Sequence, residues 1–197
     1  MADSTSHAVV AVVLRAREGR LEVLLDRGVL PSAPLARGES LEDTLARAVD
    51  VRGLAHVEQL ETVAQPDDGV ATAYLGLASA DAALDGDWRA ARRSGLPLVA
   101  AAQARLRAKL SYTNVGFALA PPAFTISELR EIYVAALGHD VSATNLQRVL
   151  VRRGVLERVD GRRAPGRTGG RPAALFRFRS SRLEVTDEFA ALRPPQR

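Results

Sequence analysis

Cysteine is absent from the 197-residue chain. That excludes disulfides and thiolate metal sites, and it fits a reducing cytoplasm, the expected location. Histidine is scarce. His7, His56 and His139 are too scattered to predict a metal site, and no Ser-His-Asp grouping can be built on them. Lysine occurs once, at Lys109, so the positive charge is almost wholly arginine. No apolar run reaches the roughly 18 residues that a membrane span requires. The apolar stretch at residues 8–14 is short and runs straight into charged residues. It reads as a strand, not a signal peptide.

What is present is ample core material, with 47% hydrophobic and 25% charged residues, the composition of one large or two small globular domains. The net charge of +4 is unevenly spread. Residues 148–182 hold eleven arginines against Glu157 and Asp160, a local balance of +9 that leaves −5 for the rest. A basic block on an otherwise acidic chain is the electrostatic footprint of nucleic-acid binding.

Residues 8–15 and 21–27 read as strands joined by a turn at 16–20 containing Gly19. Pro31 and Pro34 break regular structure. A helix is expected over 41–51, with apolar residues at Leu41, Leu45, Ala48 and Val49, Ser40 as N-cap, Asp43 three positions on, and Gly53 as its stop. Residues 57–64 and 70–78 read as strands, turned by Asp67, Asp68 and Gly69. A helix follows over 99–110. The fold class expected is α+β, with a mixed sheet in the first half. The expected division is 1–98 as the first domain, 99–111 as a connecting helix and 112–197 as the second domain.

The second half changes character. A short helix is expected over 112–119, closed by Pro121 and Pro122. Thr125 with Glu128 forms a capping box for a helix reaching 137, whose stripe is Ile126, Leu129, Ile132, Tyr133 and Ala136. Gly138 ends it. Ser142 caps the next helix, 143–153, which buries Leu146, Val149 and Leu150. Two capped helices joined by a short turn make a helix-turn-helix. Strands at 155–159 and 174–179, joined by a Gly- and Arg-rich loop, complete a winged helix. Phe176 and Phe178 alternate with Arg177 and Arg179, so they are expected to face the core rather than to stack on RNA bases.

The second helix of such a unit enters the major groove. Its polar face carries Thr144, Asn145, Gln147, Arg148, Arg152 and Arg153. Asn145 and Gln147 can pair with adenine, and Arg148 with guanine. The wing offers Arg162, Arg163, Arg167 and Arg171 to phosphates or to a narrow minor groove. These ten residues are the expected DNA contacts.

Three segments together resemble the Nudix-related transcriptional regulator family over nearly the whole chain. They are RLRAKLSYTNVGFALAPPAFTISELREIY (105–133), GGRPAALFRF (169–178) and LPSAPLARGESLEDTLARAVDVRGL (30–54). The resemblance implies a Nudix-like N-terminal domain followed by a winged helix-turn-helix. It implies a homodimeric repressor on a pseudo-palindromic double-stranded DNA operator, with ADP-ribose or a related nucleotide as effector. It also makes the helix at 99–110 a natural lever between the two halves.

The third segment departs from the working Nudix box. That box needs a helix bearing paired glutamates for magnesium. Counted from Glu39, the arginine of the pattern is Arg47, but the next glutamate is Ala48 and the metal-binding pair falls on Val51 and Arg52. With a one-residue deletion it falls on Asp50 and Val51. The early glycines are Ser32 and Ala33. Magnesium requires carboxylate oxygens in near-octahedral geometry, so no metal site and no pyrophosphatase activity are expected. Glu39, Glu42 and Asp43 read as first-turn acids favoured by the helix dipole. Arg27, Arg37 and Arg47 are the candidate phosphate contacts for an effector. The competing function is a Nudix-type hydrolase of a nucleoside diphosphate derivative, held near nucleic acid by its basic half.

Overall fold

The computed structural model describes residues 6–65, 69–163 and 172–187. The expected turn residues Asp67 and Asp68 lie outside them, as do Arg167 and Arg171.

Strand β1 (His7–Arg17) returns as β2 (Arg20–Leu25) through Glu18 and Gly19. Both turn residues have positive φ, 51° and 71°, the combination a two-residue hairpin needs to match strand twist. A short strand β3 (Ser32–Pro34) pairs antiparallel with the start of β1. It stands where the prolines were expected to break the chain. Pro34 is tolerated because it sits at the end of a three-residue strand. After α1 (Leu41–Ala48) come β4 (His56–Ala64) and β5 (Val70–Ala78). The sheet order is β4-β5-β1-β2-β6, with β6 (Asp87–Ala90) on the outer edge. The β1–β5 pair is parallel and its neighbours are antiparallel, so the sheet is mixed.

The continuous apolar run in β1 has a simple cause, since both faces of the strand are covered. Val9, Ala11 and Val13 join Leu24, Tyr74 and Ala78 in packing against Leu45 and Val49 at α1. Val12 and Leu14 join Val23, Leu75 and Leu77 against Val99, Ala102 and Leu106 of α2 (Pro97–Tyr112). Helix α1 stops at Ala48, three residues earlier than expected. Val49 turns to extended backbone, and Asp50 then caps a separate 3-10 turn, Val51–Gly53.

The core under α2 does not end with the sheet. It continues through Val115, Leu119, Phe124, Leu129, Tyr133, Leu146 and Leu150. Helix α3 (Ile126–Leu137) touches β1 and β2 as well as α4 (Ala143–Arg152). Helix α2, the expected lever, is packed within this shared core. Its buried side lies on the sheet, and its outer side is tied to β4, where Lys109 Nζ stands 2.8 Å from Glu58. Arg105 adds hydrogen bonds to Glu58 Oε1 at 3.3 Å and to the Leu60 carbonyl at 3.1 Å. Burial pushes the Glu58 carboxyl up, but the hydrogen bonds from Lys109 and His56 outweigh it and hold it below its usual value.

The short helix expected over 112–119 is a 3-10 turn instead, Val115–Ala118. Thr113 leaves the helix in extended backbone, and its hydroxyl donates to the Lys109 carbonyl at 2.7 Å while accepting from the Val115 amide at 3.2 Å. Strands β7 (Leu156–Arg163) and β8 (Ala173–Phe178) form the antiparallel hairpin of the wing. Phe124 and Phe176 exchange two backbone hydrogen bonds of 2.9 and 2.8 Å, which attaches the wing to the start of the helix pair. Phe176 and Phe178 pack on the core, the latter 5.4 Å from the Phe124 ring.

Candidate nucleic-acid interface

Helix α3 starts with both halves of a capping box. The Thr125 hydroxyl accepts from the Glu128 amide, and the Glu128 carboxylate accepts from the Thr125 amide at 2.7 Å. It ends at Gly138 with φ 79°, a left-handed position that favours glycine. The turn to α4 is pinned by Arg130, which donates to the Val141 carbonyl at 2.8 Å and pairs with Asp140. Sequence reasoning did not single out Arg130, because an arginine on a helix carries no mark of a partner eleven residues away.

Ser142 then caps α4 by accepting from the Asn145 amide. Leu146 and Leu150 are buried, and the opposite face exposes Thr144, Asn145, Arg148, Val151 and Arg152, with Gln147 half-buried beside them. Arg148 Nη2 donates to Asn145 Oδ1 at 2.8 Å. One turn of helix separates them, so the pair is held side by side on the exposed surface.

Two arginines expected on this surface are committed elsewhere. Arg153 caps the end of α4 and turns inward. Its guanidinium donates to the Ser111 carbonyl at 2.7 Å and to Asp187 Oδ2 at 3.1 Å, with 13% of the side chain exposed. It ties α4 to the end of α2 and to the chain beyond the wing. Arg163 bonds Glu128 at 2.6 Å and the Ala123 carbonyl at 3.3 Å, which braces the wing against the start of α3. Arg162 is exposed and makes no ion pair among the described residues. Asn114, buried at 2% exposure, was also missed; its side chain holds the Glu184 amide and the Arg182 carbonyl.

The candidate effector arginines are not brought together. Arg27 occupies a turn with its side chain 94% exposed, 3.9 Å from Asp26. Arg37 is exposed on the loop before α1. Arg47 borders a cavity of about 680 Å³ at the end of α1. Its guanidinium is occupied by Glu39, at 2.7 and 2.8 Å, and by the Pro34 carbonyl at 2.6 Å. Those bonds from Arg47, with one from the Ala36 amide, lower the Glu39 pKa to about 2.

The same cavity is lined by Ala48, Asp50, Val51 and Arg52, the positions where the Nudix box pattern would call for its glutamates. Its acids are Asp26, Asp50 and Asp85. Asp50 is taken by Arg52, at 2.9 and 3.2 Å, which lowers its pKa. No three histidine, aspartate or glutamate side chains among the described residues converge on one point suited to a metal ion. The donor set does not fit magnesium.

Comparison with known proteins adds to this geometry. The family model described as the NrtR DNA-binding winged helix domain matches residues 116–178. The ADPR responsive transcriptional repressor NtrR of Acinetobacter baylyi is 40% identical over 81 residues, 41% of this chain. The match spans 31% of that protein's length. The structure of Shewanella oneidensis NrtR complexed with a 27mer DNA superposes with a TM-score of 0.72 at 26% identity, over 87% of this chain and 93% of that one. A MutT/nudix family protein from Enterococcus faecalis has the same fold, with a TM-score of 0.65 at 18% identity, over 91% of this chain and 90% of that one.

Proposed function

We propose that this chain is a member of the NrtR family of Nudix-related transcriptional regulators, a DNA-binding repressor whose Nudix-like half senses a nucleotide instead of hydrolysing one; the winged-helix family match and the likeness to the Shewanella protein support it. The observation that carries the reading is the exposed face of α4. On a winged helix joined to the Nudix-like half by a shared core, that face presents Asn145 and Arg148 already aligned. Those side chains suit adenine and guanine edges in a major groove, while Thr144, Gln147 and Arg152 lie on or beside the same face and Arg162 is exposed on the wing strand β7. Arg167 and Arg171 belong to the proposal as wing contacts. Arg153 and Arg163 do not: Arg153 is turned inward onto Ser111 and Asp187, and Arg163, though half exposed, is engaged by Glu128 and the Ala123 carbonyl.

The protein acts as a cytoplasmic homodimer on a pseudo-palindromic operator, each recognition helix reading one half-site. The named response of the Acinetobacter relative supports ADP-ribose or a close nucleotide as effector. Such a ligand must bind one dimer geometry better than the other, because equal affinity shifts nothing. Helix α2 packs on both the sheet and α3, so a change in the Nudix-like half can be passed through it to the recognition helix. The lost carboxylates support a domain without pyrophosphatase activity. ADP-ribose incubated with magnesium and the protein stays intact; release of AMP would restore the hydrolase reading.

The first experiment is fluorescence anisotropy on the protein's own upstream DNA, against random duplex, across a salt series. Binding that survives competitor, with a slope of several phosphate contacts, is the expected result. Equal and weak binding to both duplexes overturns the repressor.

A further inference from the structure

We propose a second ligand site, for a small di- or triphosphate anion, at the junction between the sheet and the helix-turn-helix. A cavity of about 550 Å³ opens there, within the range of small-molecule pockets. Its wall draws on the β1–β2 turn, the segment after β6, α2, the end of α3 and the turn leading to α4. Arg20, Arg92, Arg93 and Arg107 all border it. None of the four makes an ion pair with a carboxylate of the described residues.

Two of these guanidinium groups converge. The point where a Cβ on Gly138 would stand is 2.9 Å from Arg92 Nη2 and 3.4 Å from Arg107 Nη2. Arg92 also donates to the Gly138 carbonyl at 3.1 Å. Like charges gathered without a counter-charge repel one another, and an anion between them reverses the sign of the interaction. Guanidinium groups match phosphate oxygens in two-point geometry. Asp140 is the carboxylate on the wall, and Arg130 already holds it. Gln103, at 9% exposure, borders the cavity and makes no side-chain hydrogen bond with the described residues. It is a neutral donor available to a phosphate or to the group it carries.

The position of the site gives it a consequence. Arg92 is carried by the sheet side and donates to the Gly138 carbonyl of the helix pair, so an anion held by Arg92 and Arg107 stands against the turn from which α4 departs and would act on it through Arg92. The site is separate from the cavity beside α1 and does not require that the Nudix-like half bind ADP-ribose.

Calorimetry of the full chain with pyrophosphate tests it without DNA, so its failure is distinct from failure of the repressor reading. Wild type is expected to bind one pyrophosphate per chain. Arg92→Gln with Arg107→Gln is expected to weaken binding at least about tenfold, the loss of two charge-assisted contacts. Arg27→Gln with Arg37→Gln is expected to leave it unchanged. All four arginines are exposed, and circular dichroism checks that each variant folds. Arg20→Gln with Arg93→Gln, the other two arginines that border the cavity, is a second pair expected to weaken binding. No heat of binding up to about 10 mM, equal binding in all variants, or loss only in the Arg27 and Arg37 pair overturns the site. So does a junction variant that keeps pyrophosphate but loses duplex affinity, since the cluster would then be a DNA-backbone contact.

Discussion

Arg47 lies along Glu39 with two nitrogens on the one carboxylate, at 2.7 and 2.8 Å, and reaches past it to the Pro34 carbonyl. One guanidinium thereby joins α1, the loop before it and the end of β3. Of the charged letters of the Nudix box pattern these two remain in this chain, and they bond each other.

The pair makes a pH-dependent contribution. The Glu39 pKa in the folded protein is lowered to about 2, from an ordinary value of 4.5. A carboxylate depressed by folding stabilises above its unfolded pKa, and that stability is lost as pH falls through the folded one. Arg47→Met is therefore expected to be less stable than wild type at neutral pH, with the difference shrinking as pH falls from about 4.5 toward 2. Urea midpoints at a series of pH values read this directly. A gap that stays constant throughout would remove Glu39 as its source.

On DNA, Arg148→Ala and Asn145→Ala are expected to weaken operator binding by about 1–3 kcal/mol each, with random duplex affected much less. The two side chains bond each other, so the double variant is expected to lose less than the sum. Anisotropy on both duplexes measures it. Equal losses on operator and random DNA would make the pair phosphate contacts only.

Neighbouring arginines at the end of α4 are expected to separate cleanly. Arg152 is exposed, and Arg152→Ala should lower the salt slope by about 1 with little change in thermal stability. Arg153 sits with Asp187 in a pair only 13% exposed on each side. Arg153→Ala removes its bonds to the Ser111 carbonyl and to Asp187, which tie α4 to α2 and to the chain beyond the wing, so it should cost about 1–3 kcal/mol of stability. Melting curves and the salt series on the same two variants decide it; the reverse pattern would put Arg153 on the DNA.

The Tyr133 hydroxyl is buried without a hydrogen-bond partner among the described residues, beside Gly116. Burial pushes its pKa well above the ordinary value. Tyr133→Phe removes an unsatisfied polar atom and keeps the ring, so stability should rise by about 1 kcal/mol. A lower urea midpoint in this variant would mean the hydroxyl has a partner after all.

Local pattern carried much of the architecture. The capping box of Thr125 and Glu128, the left-handed stop at Gly138 and the cap at Ser142 lie within four residues of what they act on, so the helix pair was legible in the chain. The covered sheet was legible in the uninterrupted apolar run of β1. The short strands β3 and β6 were not, since three or four residues carry no period. Nor was the boundary at Ala48, where apolar residues continue after the helix has ended.

The exposed face of α4 was determined by sequence alone, because helical spacing assigns Leu146 and Leu150 to one side and Asn145 and Arg148 to the other. Tertiary structure decided which arginines that face keeps. Arg153 meets Asp187 thirty-four residues on, and Arg163 meets Glu128 thirty-five residues back. The junction arginines belong to the same class, assembled from the β1–β2 turn, the segment after β6 and α2. An arginine's reach and charge are written in its position, but its partner is chosen by which distant carboxylate or carbonyl the packed core delivers to it.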